Sequence, residues 1–294
     1  MTVTETKPSH DHAAEVASGD RFEFGKNWSQ FLSTLNPERI AMAEASLRNM
    51  LGVDTLEGKS FLDIGCGSGL FSLAAFQLGA RVFSFDFDPN SVACALELRR
   101  RYAQDPERWT VEEGSALDAE YVQSLGQFDI VYSWGVLHHT GDMWTGLANV
   151  IPAVAPDGKL FIAIYNDTGS QARRWRALKK TYNQLPGPLK SPYAALVSTP
   201  GMLKGFVKST LKGKPLEPFR SWSDYARKRG MSRWHDIVDW VGGYPYEVAT
   251  PDEIFDYYSD RGFRLSKLRV GGVGLGCNEF VFQREPEGGK TPGG

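Results

Sequence analysis

The stretch Asp63-Ile64-Gly65-Cys66-Gly67-Ser68-Gly69 constrains this chain more than any other. The run SFLDIG (60–65) reads as a buried strand leading into it, and Leu70 to Leu78 reads as the helix leaving it. Alternate glycines let a backbone turn tightly and approach a ligand with no Cβ in the way. The helix that follows presents N–H groups with no partner inside the helix. The dinucleotide pattern GxGxxG fails because Leu70 stands at its last glycine, and no GKS or GKT follows to make a phosphate loop. What remains is DxGxGxG, with an acid two residues before the first glycine. Such a turn suits a zwitterionic amino-acid tail better than a pyrophosphate, which Asp63 would repel.

The flanking sequence extends this start into a sheet. RVFSFD (81–86), FDIVYSW (128–134) and KLFIAIY (159–165) are further buried-strand runs, separated by helical segments such as Ser91 to Tyr102. Strand and helix in alternation predict a parallel sheet covered on both faces. Asp86 closes the second strand about 20 residues past the glycines, where a carboxylate can accept hydrogen bonds from both hydroxyls of a ribose. Phe87 beside it offers an apolar face to a purine. The turn Glu113-Gly114-Ser115-Ala116-Leu117-Asp118 and the strand end Ser133-Trp134-Gly135 open on the same crevice, because ligands of open parallel sheets bind at the carboxyl ends of the strands. Near the end of the chain, Thr250, Pro251 and Glu253 spell an N-cap, a first-turn proline and a capping box. FRLSKLRV (263–270) and CNEFVFQRE (277–285) then predict an antiparallel pair.

Composition narrows the class. At 294 residues, 41% hydrophobic and 23% charged, the chain can bury a substantial core, which excludes a disordered or collagen-like polymer. No apolar run approaches the ~20 residues of a membrane-spanning helix. The opening twenty residues lack the apolar stretch of a secretory signal. Three scattered cysteines, Cys66, Cys94 and Cys277, suit a reducing cytoplasm and argue against a cysteine zinc site, so no metal is expected. The net charge of −2 hides an asymmetry: between residues 168 and 234, fifteen Lys or Arg face only Glu217 and Asp224.

Taken together, LDIGCGSG, FDFDP, GSALD, FDIVYSWGVLHH and the closing strand pair resemble a class I S-adenosylmethionine-dependent methyltransferase. The nearest branch is the small-molecule group that includes the ubiquinone-pathway O-methyltransferases. The resemblance spans roughly residues 59–166 and 250–284. It implies S-adenosyl-L-methionine as the cofactor, with Asp63, Gly65, Cys66 and Gly67 at its methionine part and Asp86 at the ribose. Phe87, Ser115 and Ala116 would frame the adenine, and Ser133 and Trp134 would border the sulfonium. Ser115 is a departure, since the family often has Asp there. The expected fold is an α/β, Rossmann-like, doubly wound and mostly parallel sheet with a C-terminal antiparallel pair and a helical insertion after the fifth strand. The expected division is a disordered tail (1–20), N-terminal lid helices (21–58), a core (59–167 and 247–285), a basic substrate-capping insertion (168–246) and a frayed end (286–294).

Methyl transfer to a hydroxyl needs alignment first and a base second. His139 is the preferred base, with His138 and His235 as further candidates. His138 and His139 lie just past the fourth strand at the mouth of the crevice, and an imidazole can accept a proton near neutral pH. Tyr165 and Asn166, leaving the fifth strand, are candidate acceptor contacts. So are Trp28 in a lid and Arg229, Trp234, Asp236, Tyr244 and Tyr246 in the aromatic-rich stretch that ends the insertion. The basic insertion is read as a cap that attracts an acidic small molecule through Arg173, Arg174, Arg176 and Arg229. Competing readings are an RNA surface, for which no recognisable module exists, and a helix over 193–214 lying on an anionic bilayer near a lipid or quinone acceptor. Nitrogen or sulfur acceptors, and a cofactor-binding scaffold without catalysis, are the remaining alternatives.

Overall fold

The computed structural model describes residues 11–25, 32, 35–214, 233–271 and 275–286, apart from the side chain of His235. Seven strands form one sheet in the order β3-β2-β1-β4-β5-β7-β6. They are β1 (Ser60–Ile64), β2 (Arg81–Asp86), β3 (Trp109–Glu113), β4 (Phe128–Trp134), β5 (Val154–Tyr165), β6 (Phe263–Arg269) and β7 (Cys277–Arg284). The first five run parallel, while β7 inserts antiparallel to both β5 and β6. The order reverses at β1, whose neighbours are β2 on one side and β4 on the other. That is the switch point where a doubly wound sheet opens a crevice.

The apolar runs are continuous because the sheet is covered twice. Phe61, Ile130, Tyr132, Phe161 and Val281 point into one hydrophobic layer. Their chain neighbours Leu62, Val131, Leu160, Ile162, Phe280 and Phe282 point into the other. Successive strand side chains alternate faces, so burial on both sides removes any polar alternation. The first layer is roofed by α2 (Pro37–Leu51), α3 (Leu70–Gln77) and α4 (Pro89–Tyr102), through residues such as Leu47, Leu73 and Leu98. The second is roofed by α5 (Ala119–Ser124), α6 (Met143–Asn149) and α10 (Pro251–Ser259), through Val122, Leu147 and Ile254. The capping box at Thr250 and Glu253 forms as its sequence requires.

Three expectations are corrected. The tail expected over 1–20 contains α1 (His12–Ser18), started by Asp11, whose carboxylate accepts the N–H groups of Ala13 and Ala14. In the expected N-terminal lid, α2 is no lid: it buries Leu47, Met50 and Leu51 in the core. Prolines at 186, 188, 192, 200, 215 and 218 predict short helical pieces in the insertion, yet it holds long helices, α7 (Ser170–Gln184) and α8 (Gly187–Leu211), the latter carrying Pro192 and Pro200 inside it. With α9 (Arg233–Gly242), they gather a small third core around Tyr182, Ala194 and Val241. Pro251 begins the return to the sheet.

Candidate active site

A cleft of about 750 Å³ opens at the carboxyl ends of the strands. Its floor is the glycine turn. Gly65, Gly67 and Gly69 have φ of 74°, 53° and 79°, in the left-handed region, so the DxGxGxG spacing is set by backbone conformation. A Cβ on Gly65 would also strike the Val136 side chain, and one on Gly69 would meet Ala95 at 2.9 Å. Asp86 fixes the turn from the adjacent strand: Oδ2 accepts the Gly67 N–H at 2.8 Å and Oδ1 accepts the Asp88 N–H at 2.9 Å.

The floor is charged in an unusual way. Asp63 is 2% exposed and lines the cleft. Burial pushes its pKa up to about 7, against the short 2.5 Å hydrogen bond donated by Ser72 Oγ, with Asp86 raising it further. Burial likewise raises Asp86 to about 6, although the amides of Asp88 and Gly67 favour its ionised form. Tyr132, two residues before the end of β4, faces the same floor with a buried hydroxyl that has no hydrogen-bond partner. Two costly carboxyls and an unused hydroxyl at one site fit a ligand that brings a cation and a hydrogen-bonding group.

A family of methyltransferase domains matches residues 62–160, the span from β1 into β5. A ubiquinone biosynthesis O-methyltransferase of Methylobacterium sp. (strain 4-46) is 32% identical over 180 residues, covering 55% of this chain and 67% of that protein. The chain belongs to the class I S-adenosylmethionine-dependent methyltransferases. A second ubiquinone biosynthesis O-methyltransferase, from Xanthomonas euvesicatoria pv. vesicatoria (strain 85-10), is 29% identical over 171 residues, covering 56% of this chain and 66% of its own length. Over its curated relatives the chain spans from roughly half to two thirds of their lengths. The fold is shared with the magnesium protoporphyrin IX methyltransferase of Synechocystis PCC 6803, at TM-score 0.50 and 14% identity, covering 84% of this chain and 83% of that one.

S-adenosyl-L-methionine is the cofactor of this methyltransferase, and the floor fits it. Of the ten expected cofactor residues, Asp63, Gly65, Cys66, Gly67, Asp86, Phe87, Ser115, Ala116 and Trp134 line the cleft. Ser133 does not: it is fully buried and its hydroxyl donates to the Ile64 carbonyl at 3.0 Å, pinning β4 to β1. Strand alternation explains the miss, since neighbours Tyr132 and Trp134 face the cleft and Ser133 must face away.

The N-terminal segment closes the cleft beside Phe87 and Asp88, a feature invisible in its polar sequence. His12 Nε2 lies 3.4 Å from Asp88 Oδ2, and the same oxygen accepts the Gly25 N–H at 2.8 Å. His12 meets the Phe87 ring edge-on at 5.5 Å, and the Arg21 guanidinium sits 4.8 Å from that ring's centre. Arg21 also binds Glu15 at 2.6 Å and donates to the carbonyls of His139 and Thr140, tying this segment to the far rim.

The histidines separate. His139 lines the cleft, and its Nδ1 lies 2.5 Å from the Pro245 carbonyl, so Nδ1 carries the proton and Nε2 the lone pair. Burial, together with the charges of Lys179 and Arg21, lowers its pKa to about 3. His138 is fully buried, off the cleft wall, with Nδ1 accepting the Tyr165 N–H at 3.4 Å. It is a packing residue against Tyr165, at 4.0 Å between ring centres. The side chain of His235, with Trp28 and Arg229, lies outside the described residues.

Among the expected acceptor contacts, Tyr165 and Asp236 line the cleft. Asn166, Trp234, Tyr244 and Tyr246 do not. Asn166 accepts a hydrogen bond from Asn278, Trp234 packs in the third core, the Tyr244 carbonyl accepts the Phe22 N–H, and Tyr246 is buried behind Tyr165. Asp239 and Trp240 line the cleft instead, one turn after Asp236 on the same helix. The arginines expected as anion ligands, Arg173, Arg174 and Arg176, are not on the wall. Among the insertion's described residues Lys179 is a buried cation, 1% exposed, with Nζ donating to the Trp240 carbonyl and lying 4.2 Å from its ring centre. Burial lowers its pKa to about 7. Among the described residues, no group of three or more His, Cys, Asp or Glu could hold a metal ion.

Proposed function

We propose that this methyltransferase transfers a methyl group to a hydroxyl of a small-molecule acceptor, seated between His139, Tyr165 and helix α9. The carrying observation is His139: its ring orientation is set by Pro245, and Nε2 remains as an acceptor on the cleft wall. The O-methylation in ubiquinone biosynthesis for which the curated relatives are named agrees with a hydroxyl acceptor.

Bound S-adenosylmethionine supplies an electrophilic methyl on cationic sulfur. Asp63 and the glycine turn would hold the amino-acid end, Asp86 the ribose, and Ser115 and Ala116 the adenine. In this site His139 Nε2 would accept the proton that the acceptor hydroxyl gives up when its oxygen takes the methyl group and the sulfur–carbon bond breaks, leaving a neutral thioether. An imidazole with a pKa near 3 drives proton transfer weakly, so alignment carries most of the rate. Tyr165 keeps its proton, since burial raises its pKa strongly, and can donate a hydrogen bond to the acceptor. The test is transfer of labelled methyl to a phenol panel, with the methyl ether identified by mass spectrometry. A product methylated only on nitrogen or sulfur overturns the hydroxyl assignment.

Helix α8 supports a second reading, peripheral contact with an anionic bilayer. Leu196, Leu203, Val207 and Leu211 are exposed and recur on one face, with Lys204, Lys208 and Lys212 alongside. No acid occurs from Thr168 to Leu216. No helix among the described residues is long and apolar enough to cross a membrane. Sedimentation with anionic but not neutral vesicles supports the contact, and equal sedimentation of a Leu203→Ser/Leu211→Ser variant removes it. The sparse free cysteines fit a reducing, cytoplasmic setting.

A further inference from the structure

We propose that the Tyr132 hydroxyl receives the carboxylate of the cofactor's amino-acid end and so tells S-adenosylmethionine from an analogue that lacks it; this rests on the seating of that end at Asp63 and the glycine turn. Asp63 and Tyr132 are register partners on β1 and β4, so their side chains leave the same face of the sheet, and both line the cleft. The hydroxyl is buried and has no hydrogen-bond partner among the described residues. Packed rings keep it from swinging away to find one. Phe71 stacks on the Tyr132 ring at 5.2 Å between centres, and Phe161 meets it edge-on at 5.1 Å. A buried hydroxyl left in this state is a cost to the fold, offset only when a ligand bonds to it.

The amino-acid end brings two charges, and the floor treats them differently. Its ammonium would meet Asp63, whose ionised form suits a cation. Its carboxylate enters a floor that already holds Asp63 and Asp86, so it needs donors. Four amides of the glycine turn are already committed. Gly65 and Cys66 donate to the Phe85 carbonyl at 2.9 and 3.0 Å, Gly69 donates to the Cys66 carbonyl at 2.8 Å, and Gly67 donates to Asp86.

Tyr132 is an uncommitted donor on this wall. Burial holds its pKa well above the usual phenol value, with Asp63 and Glu279 adding to the effect, so it keeps the proton it would donate. Glu279 is engaged elsewhere, paired with Arg269 at 3.2 Å and accepting the Trp134 indole N–H at 3.3 Å.

The experiment is calorimetry on the full chain and its Tyr132→Phe variant with three probes. They are S-adenosylhomocysteine, its decarboxylated analogue, whose tail ends in an aminopropyl group, and its deaminated analogue, which keeps the carboxylate. The parent should bind S-adenosylhomocysteine at least about tenfold more tightly than the decarboxylated analogue, the size of one charged hydrogen bond. In Tyr132→Phe that preference should shrink to within about twofold. Affinity for the decarboxylated analogue itself, the readout of an intact cleft, should stay unchanged, while the deaminated analogue loses about tenfold as S-adenosylhomocysteine does. A preference for the carboxylate that survives Tyr132→Phe overturns the proposal, as does a parent without that preference or a variant that weakens all three probes equally. Asp63→Asn tests the seating: it should weaken S-adenosylhomocysteine and leave the deaminated analogue within about twofold. Losses at neither residue mean that the amino-acid end sits elsewhere, and both readings fall. A loss at Asp63 with none at Tyr132 sinks this one alone. No acceptor enters the experiment, so the hydroxyl reading stands or falls separately.

Discussion

Replacing Asp63 with asparagine should strengthen the fold at alkaline pH and weaken the cofactor site. In an unfolded chain an aspartate titrates near ~3.9. In the fold the Asp63 carboxyl is buried, with its pKa raised to about 7. The folded state therefore holds its proton longer, and stability falls as pH rises from about 4 to 7, then levels off. Three pKa units correspond to roughly 4 kcal/mol. An asparagine in this place carries no charge and escapes that cost. Its amide N–H does lie beside Ser72, and an unpaired buried donor costs about 1–3 kcal/mol. The expected net is a gain of about 2 kcal/mol for Asp63→Asn at pH 8 and a loss of about 1–2 kcal/mol at pH 4, where the buried aspartate is itself neutral. Cofactor binding should respond in the opposite sense, falling about ten- to a hundredfold with the loss of a charged hydrogen bond. Urea unfolding at pH 4 and pH 8, with and without S-adenosylhomocysteine, measures both effects. A variant less stable than its parent at pH 8, or one that keeps the parent's cofactor affinity, refutes the reasoning.

His139→Ala should lower kcat by about tenfold, below the usual ~10²–10⁴ for a well-matched base, because the imidazole is a weak base in this site. For the same reason, the kcat profile between pH 5 and 8 should lack an acid limb with a pKa near 6.5, and such a limb vanishing in His139→Ala would contradict the tautomer and burial argument. Tyr132→Phe should leave stability unchanged or slightly higher, since its buried hydroxyl is unpartnered, yet weaken S-adenosylhomocysteine binding by about tenfold in calorimetry. The parent should gain thermal stability between pH 7 and 9 as Lys179, whose folded pKa is lowered to about 7, sheds its charge in the fold before it does so in the unfolded chain. Lys179→Met should remove that gain, as scanning calorimetry across this range would register.

The sequence carried the sheet and the cofactor floor because both are local. The strands are uninterrupted apolar runs, α2 begins at Pro37 and ends at Leu51 as its apolar spacing requires, and the three glycines sit where φ is positive. Asp86 closes β2 as its spacing from the glycines anticipated. What escaped depends on contacts between distant segments. The helix at His12–Ser18 has no buried residue of its own and gains its place through Asp88 and Phe87, more than 70 positions away. His138 and His139 are adjacent, yet one is sealed in the core and the other faces the cleft, because a short 3-10 turn at Leu137–His139 rotates them apart. The placement of the insertion's charges also escaped, because a summed charge does not say which side chains reach the cleft. Its described lysines and arginines are mostly exposed, while the residues it sends to the cleft wall are Asp236, Asp239 and Trp240. Lys179 gave no signal among so many basic neighbours.

The most direct measurement compares S-adenosylhomocysteine, adenosine and NAD as ligands of the same protein by calorimetry. If Asp63 and the glycine turn hold the amino-acid end while Asp86 holds the ribose, S-adenosylhomocysteine binds tightest, adenosine at least about tenfold more weakly, and NAD not measurably. Adenosine binding as tightly as S-adenosylhomocysteine, or NAD displacing both, would contradict the account.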